Sequence, residues 1–185
     1  EPMTTGLDRA RAKMTDAGAT GAAIDVFTHY YAQAGDASGT YIREDDIEAL
    51  TDPPRLASID IDPDGARDAL ARTVLIKLNG GLGTSMGLDG PKTLLPVRGR
   101  KTFLDILVAQ VLRARERYDA SLPLLFMNSF RTREATLDHL SCYDELPVGN
   151  LPVDFLQGFE PKLTVDGLEP VSWPADPSLE WCPPG

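Results

Sequence analysis

Cysteine and histidine are nearly absent from this chain, with Cys142, Cys182, His29 and His139 the whole complement in 185 residues. Two cysteines cannot build the disulfide framework of a small secreted domain, so a reduced, cytoplasmic setting is expected. Cys182 reads as a small buried hydrophobe rather than a reactive thiol. The histidines share no metal-ligand spacing, and no Ser-His-Asp or Cys-His constellation is present, so chemistry through a protein nucleophile is not expected. No apolar run approaches the ~20 residues that span a bilayer, and the N-terminus lacks the basic-then-apolar layout of a signal peptide. Repeats and low-complexity segments are missing too. Basic residues are scarce: 18 Lys and Arg against 28 Asp and Glu leave a net charge of −10. That balance excludes non-specific nucleic-acid binding, which needs positive surface.

Glycine is plentiful, and it is concentrated. The strand-like run Thr73-Val74-Leu75-Ile76-Lys77-Leu78 feeds into a loop with glycine at 80, 81, 83, 87 and 90. Residues without Cβ allow backbone to approach a ligand closely, and successive N–H groups in such a loop can form an anion-binding concavity. The charge map agrees. Residues 76–101 hold Lys77, Lys92, Arg98, Arg100 and Lys101 against Asp89 alone, whereas residues 134–185 hold ten acids against Lys162. The glycine loop is a positive island in an acidic chain, and the ligand it suggests is a nucleotide. Arg98, Arg100 and Lys101 themselves read as a solvated turn around Gly99 rather than as direct phosphate contacts.

Two familiar glycine loops do not fit. The dinucleotide fingerprint needs G-x-G-x-x-G, and here Gly81-x-Gly83-x-x-x-Gly87 is one residue too long. The P-loop needs Lys directly after glycine, and here Pro91, which has no N–H to cradle a phosphate, stands between Gly90 and Lys92.

Helical periodicity is expected over residues 4–17 and from Thr20, where Ile24, Phe27 and Tyr31 recur with Tyr30 beside them as packing residues. A short helix is expected at 43–50, ended by Pro53-Pro54. Asp60, Asp62 and Asp64 mimic part of a calcium loop, but an acid-rich helix N-terminus is the better reading. From Thr73 the texture alternates. Strands are expected at 73–78, as a central parallel strand, and at 93–97, 122–127 and 153–156. Helices are expected from Thr102, with Asp105 completing a capping box and Phe103, Leu107, Val111 and Ala114 on the apolar face, and from Thr132 to about His139. This order implies an open α/β sheet, with ligands at the carboxyl ends of its strands. Asn79–Gly81, Met127–Phe130 and Gln157 all follow strand ends.

The string Leu78-Asn79-Gly80-Gly81-Leu82-Gly83-Thr84-Ser85-Met86-Gly87, followed by Gly90-Pro91-Lys92, resembles the signature of UTP–glucose-1-phosphate uridylyltransferases, or UDP-glucose pyrophosphorylases. Met127-Asn128-Ser129-Phe130, Phe155-Leu156-Gln157 with Pro161-Lys162, and Trp181-Cys182-Pro183-Pro184-Gly185 resemble further family segments in the same order. Ser85-Met86 is similar to the glucose branch rather than the N-acetylglucosamine branch.

The resemblance implies an α/β fold with an open Rossmann-like nucleotidyltransferase sheet of the glycosyltransferase-A-like kind, truncated after its N-terminal portion. Residues 1–72 would be an N-terminal helical extension and 73–185 the first part of the catalytic domain. The implied reaction joins UTP and glucose 1-phosphate to give UDP-glucose and pyrophosphate. Lys92 is the implied catalytic residue, at the phosphates. Leu78, Asn79, Gly80, Gly81, Lys92, Gln157 and Gly185 are the implied substrate-binding residues. Leu78 and Asn79 would act largely through backbone, Gln157 through its amide on uracil and Gly185 through its N–H. Met127 is expected to pack. Mg²⁺ is the implied cofactor, with its aspartate expected beyond Gly185, so the chain alone is expected to be inactive. UTP and glucose 1-phosphate are the expected partners, with neither nucleic acid nor membrane. Two alternatives stay open: an N-acetylhexosamine or broad-specificity UDP-sugar pyrophosphorylase, and a non-catalytic nucleotide-binding or interaction module.

Overall fold

Side-chain oxygens start four of the helices. In the computed structural model, which describes residues 5–34 and 42–182, Thr5 caps α1 (Gly6–Asp16) and Thr20 caps α2 (Gly21–Gln33). Asp62 caps α3 (Pro63–Ala71) by accepting from the N–H groups of Asp64 and Gly65, as an acid-rich helix start should. Thr102 and Asp105 form the expected capping box of α4 (Phe103–Tyr118). The strands are β1 (Leu75–Asn79), β2 (Pro96–Arg98), β3 (Lys101–Thr102), β4 (Leu124–Asn128), β5 (Asp154–Leu156), β6 (Glu160–Pro161) and β7 (Trp181–Cys182), with α5 (Arg133–Leu140) between β4 and β5.

Backbone contacts gather the chain into two units, residues 57–157 and residues 1–56 with 158–185. This differs from the division at 72/73 expected from the sequence. Leu70 of α3 packs against the core of the first unit, while Leu163 and Trp181 pack with the N-terminal helices.

In the unit of residues 57–157, β1, β4 and β5 form a parallel sheet in the order β1-β4-β5, with Leu75 opposite Leu124 and Asn79 opposite Asn128. The α/β class with a parallel sheet is as expected. The place of β1 is not: among the described residues it is an edge strand, and Ile76 and Leu78 remain 55% and 64% exposed. An unbroken apolar run identifies a strand but not its neighbours, since pairing is decided by distant residues. The strand expected at 93–97 is shorter and later: a 3₁₀ turn at Lys92–Leu94 precedes it, and only Pro96–Arg98 form the strand, as β2 of the β2–β3 hairpin. The segment 43–50 contains only a single 3₁₀ turn, Glu44–Asp46, in place of a helix.

The core of this unit is Leu104, Val108 and Val111 of α4 against Leu122, Leu124, Phe126, Leu140 and Leu146. Burying each such side chain contributes about 1.5–3 kcal/mol. Val111 was expected in the stripe, but Leu104 and Val108 replace Phe103, which is half exposed. Beneath α4, Asp105 accepts hydrogen bonds from His139 Nε2 and the Tyr143 hydroxyl, both at 2.6 Å. Burial would raise the Asp105 carboxyl, but the hydrogen bonds from Tyr143, Thr102 and His139 outweigh it and hold the group well below the usual carboxylate range. Burial and the Asp105 carboxylate push the Tyr143 phenol up to about 12.

In the other unit, Ala10 and Met14 of α1 and Phe27 of α2 are buried together, with Ile24 and Tyr31 packed on them. Tyr30 does not pack as expected; it is 62% exposed, with its ring edge-on to that of His29. Lys13 pairs with Glu180 and lies 5.4 Å from the Trp181 ring, and Arg9 pairs with Glu169. Cys182, half-buried in β7, has its thiol raised by burial, which disfavours the reactive thiolate.

Candidate functional site

β1 and β4 end side by side on two asparagines, and both side chains are buried. Asn79 Nδ2 donates to Asn128 Oδ1 at 2.8 Å and to Thr136 Oγ1 at 2.9 Å. Asn79 Oδ1 accepts from the Thr93 hydroxyl at 2.6 Å. Asn128 Nδ2 donates to Asp154 Oδ2 at 3.3 Å, and Arg133 Nε holds the same oxygen at 2.7 Å. Among the described residues no buried side-chain nitrogen or oxygen lacks a partner. A satisfied polar network of this kind is rigid, because each member left alone costs about 1–3 kcal/mol. It fixes the point at which the glycine loop leaves the sheet.

The loop then folds back on itself. Gly83 N–H donates to Gly90 C=O at 2.8 Å, Lys92 N–H donates to Gly81 C=O at 3.1 Å, and Leu82 bridges Pro91. Between them lie the 3₁₀ turn Thr84–Met86 and Gly87, whose φ of 73° is a left-handed conformation that glycine adopts without strain. This short antiparallel ladder brings Lys92 against Gly81 across eleven residues of chain. A Cβ placed on Gly81 would lie 3.8 Å from Lys92 Cδ, so the lysine stem runs alongside bare backbone. Lys92 is exposed and forms no ion pair among the described residues. The N–H groups of Gly80 and Gly81 likewise donate to no acceptor among them. Two uncommitted donors and an exposed cation thus lie on the same short stretch of loop, groups suited to an oxyanion.

Gln157 completes the geometry. Its N–H donates to Asn128 C=O at 2.8 Å, which extends the sheet beyond β5 and carries the residue to the strand ends. A Cβ built on Gly80 would fall 2.2 Å from Gln157 Oε1, so the carboxamide lies directly on the glycine. A donor and an acceptor are therefore presented at Gly80, two residues beyond exposed Leu78 on the same strand end. Of the residues named from the sequence, Leu78, Asn79, Gly80, Gly81, Lys92 and Gln157 come together. Gly185 lies outside the described residues, with Pro183 and Pro184. Met127 is half-buried in β4.

Thr93, Thr136 and Asp154 were not singled out from the sequence, and the Asn79 side chain was given no task. The available signal was a buried-type strand ending in asparagine twice, at Asn79 and Asn128. Metal ligands are a different matter. Among the described residues no three of His, Cys, Asp or Glu converge to hold an ion.

Known proteins resemble this chain over most of its length. A family model described as UTP--glucose-1-phosphate uridylyltransferase matches residues 24–185. The chain belongs to that uridylyltransferase family. The probable UTP--glucose-1-phosphate uridylyltransferase of Schizosaccharomyces pombe is 35% identical over 166 residues, which cover 88% of this chain and 32% of that protein. The Solanum tuberosum UTP--glucose-1-phosphate uridylyltransferase is 36% identical over 140 residues, covering 75% of this chain and 29% of the relative. Among solved structures, an L281D mutant of the Leishmania major UDP-glucose pyrophosphorylase in complex with UDP-glucose matches all of this chain and 38% of its own, at TM-score 0.86 and 34% identity. The Trypanosoma brucei UDP-glucose phosphorylase matches 97% of this chain and 38% of its own, at TM-score 0.83 and 34% identity. The chain thus spans about a third of the length of these uridylyltransferases.

Proposed function

We propose that this chain is the UTP-binding portion of an enzyme that transfers a uridylyl group from UTP to glucose 1-phosphate, giving UDP-glucose and pyrophosphate. The observation that carries the proposal is the convergence of Lys92, the Gly80–Gly81 backbone and the Gln157 amide, brought together by the 81–92 ladder and the end of β5. In this reading the Gln157 carboxamide pairs with the uracil edge, the glycine N–H groups receive phosphate oxygens, and Leu78 covers the base. An oxygen of glucose 1-phosphate attacks the α-phosphorus in line, the new O–P bond forms, and the bond to the β-phosphate breaks to release pyrophosphate. Lys92 stabilises the charge that accumulates on the phosphate oxygens. Such a reaction depends on positioning and charge neutralisation rather than on a protein nucleophile.

Ser85-Met86 supports glucose over N-acetylhexosamine as the sugar. A cytoplasmic setting is supported by the shortage of cysteine, and among the described residues no helix is long and apolar enough to cross a membrane. The test is a titration of the chain with UTP, followed by amide shifts, with ATP as control and Lys92→Ala beside it. Selective response to UTP, weakened about tenfold or more by the substitution, is expected from loss of a charged phosphate contact. Equal response to ATP and UTP would overturn the assignment of Gln157 to the base.

A further inference from the structure

We infer that the β2–β3 hairpin and the outer face of α4 form a second anion site, built from none of the glycine-loop residues, for a small ligand with adjacent phosphoryl groups. Arg98, Arg100 and Lys101 of the hairpin and Arg113 of α4 line an open cavity of about 660 Å³ together with Ile106, Ala109 and Gln110. Its volume lies in the usual range for small-molecule sites. No acidic residue lines it, and none of its four cations forms an ion pair among the described residues. Four unneutralised positive groups around one concavity, on a chain of net charge −10, repel one another until an anion enters.

The arrangement is held by local structure. Arg98 and Lys101 face each other in the hairpin register, and Gly99 turns between them at φ 62°. Thr102 ends the hairpin and caps α4 in the same step, with its N–H 2.6 Å from Asp105 Oδ2, so no slack separates the two elements. Phe103 N–H donates to Leu95 C=O at 3.2 Å and closes the base of the hairpin. Along α4, Ile106, Gln110 and Arg113 recur on one face at i, i+4 and i+7. Asp105, the carboxylate nearest the hairpin in sequence, is already committed to Thr102, His139 and Tyr143, and Glu116, three residues beyond Arg113 on α4, neither lines the cavity nor forms an ion pair among the described residues. The turn is solvated, as the sequence suggests. Arg113 converts that turn into a pocket, and its distance along the chain hides it from a local reading.

Three guanidinium groups offer paired donors at the spacing of phosphate oxygens, and the Gln110 amide adds a neutral donor. Ile106 and Ala109 give a small apolar floor. This chemistry selects a compact diphosphate over a single-charge anion.

The test is a titration of the 185-residue chain with inorganic pyrophosphate, with sulfate and UDP as parallel arms and amide shifts as the readout. Saturable shifts at Gly99, Lys101 and Gln110 are expected, retained in Lys92→Ala and weakened at least tenfold by Arg100→Glu or Arg113→Glu. Arg117→Glu makes the same charge change outside the cavity and is expected to leave affinity within about twofold. Pyrophosphate binding with weaker UDP binding identifies a free diphosphate; the reverse identifies a nucleotide's diphosphate. Absence of saturation by about 10 mM would overturn the inference, as would sulfate binding equally well. Equal loss in Arg117→Glu would reduce it to a general field effect. Shifts confined to Gly81 and Lys92 and abolished by Lys92→Ala would return the anion to the glycine loop, and an acidic peptide displacing pyrophosphate selectively would assign the surface to a protein partner.

Discussion

Replacing Gly80 by alanine separates recognition from stability at this site. Gly80 does not hold a left-handed φ, so alanine meets no backbone strain there. Its methyl would lie 2.2 Å from Gln157 Oε1, 2.8 Å from Cδ and 2.9 Å from Nε2. Every obstructing atom belongs to the end of one flexible side chain, so the carboxamide moves and the backbone stays. Forcing Gln157 into a poorer rotamer costs about 0.5–1.5 kcal/mol. Alanine recovers about 0.4–1 kcal/mol by restricting the unfolded chain. The net change in stability is therefore within about 1 kcal/mol. Recognition suffers far more. If the displaced amide made two hydrogen bonds to uracil, each contributing about 0.5–1.5 kcal/mol, UTP affinity falls about 5- to 150-fold.

Thermal unfolding and UTP titration of Gly80→Ala, Gln157→Ala and the double variant form the assay. In the double variant the methyl has nothing to displace, so the affinity loss should match that of Gln157→Ala alone. The stability cost of the methyl should vanish as well, a part of the cycle that needs no ligand. Affinity losses that add, or destabilisation above about 2 kcal/mol that persists without the glutamine side chain, would refute the reasoning.

Asn79→Ala removes three hydrogen bonds and leaves Asn128, Thr136 and Thr93 each short of one, so a loss of about 2–4 kcal/mol is expected in urea unfolding, with reduced protection of the Lys92 amide. Asp105 has a folded pKa below the ordinary value near 3.9, so its contribution to stability is present above about pH 4 and is lost as the pH falls through the folded value. Tyr143 is raised from 10.0 to about 12, so its contribution is full below pH 10 and is lost as the pH rises towards 12. Asp105→Asn should flatten both limbs of the stability–pH curve, and Tyr143→Phe should remove the alkaline limb and weaken the acid one, because the Tyr143 hydroxyl is one of the donors that hold Asp105 low; unchanged curves from scanning pH 2 to 12 would contradict the geometry.

Much of the site was legible in order along the chain because its causes are local. Glycines at 80, 81, 83, 87 and 90 mark a loop that approaches a ligand whatever surrounds it, and Thr102 with Asp105 caps a helix through atoms three residues apart. Asp62 likewise starts α3 from within its own turn. Those features, and the family the glycine string belongs to, follow from sequence alone. Tertiary structure decided the rest. That β1 stands at an edge depends on which strands pair with it, and that Lys92 reaches Gly81 depends on a ladder closed across the loop. Asn79 became the centre of a buried network only because Asn128, Thr136 and Thr93 arrive from three other elements. Arg113 likewise joins Arg98, Arg100 and Lys101 only when the hairpin lies against α4. A side chain's task depends on neighbours distant in sequence, and folding is what supplies them.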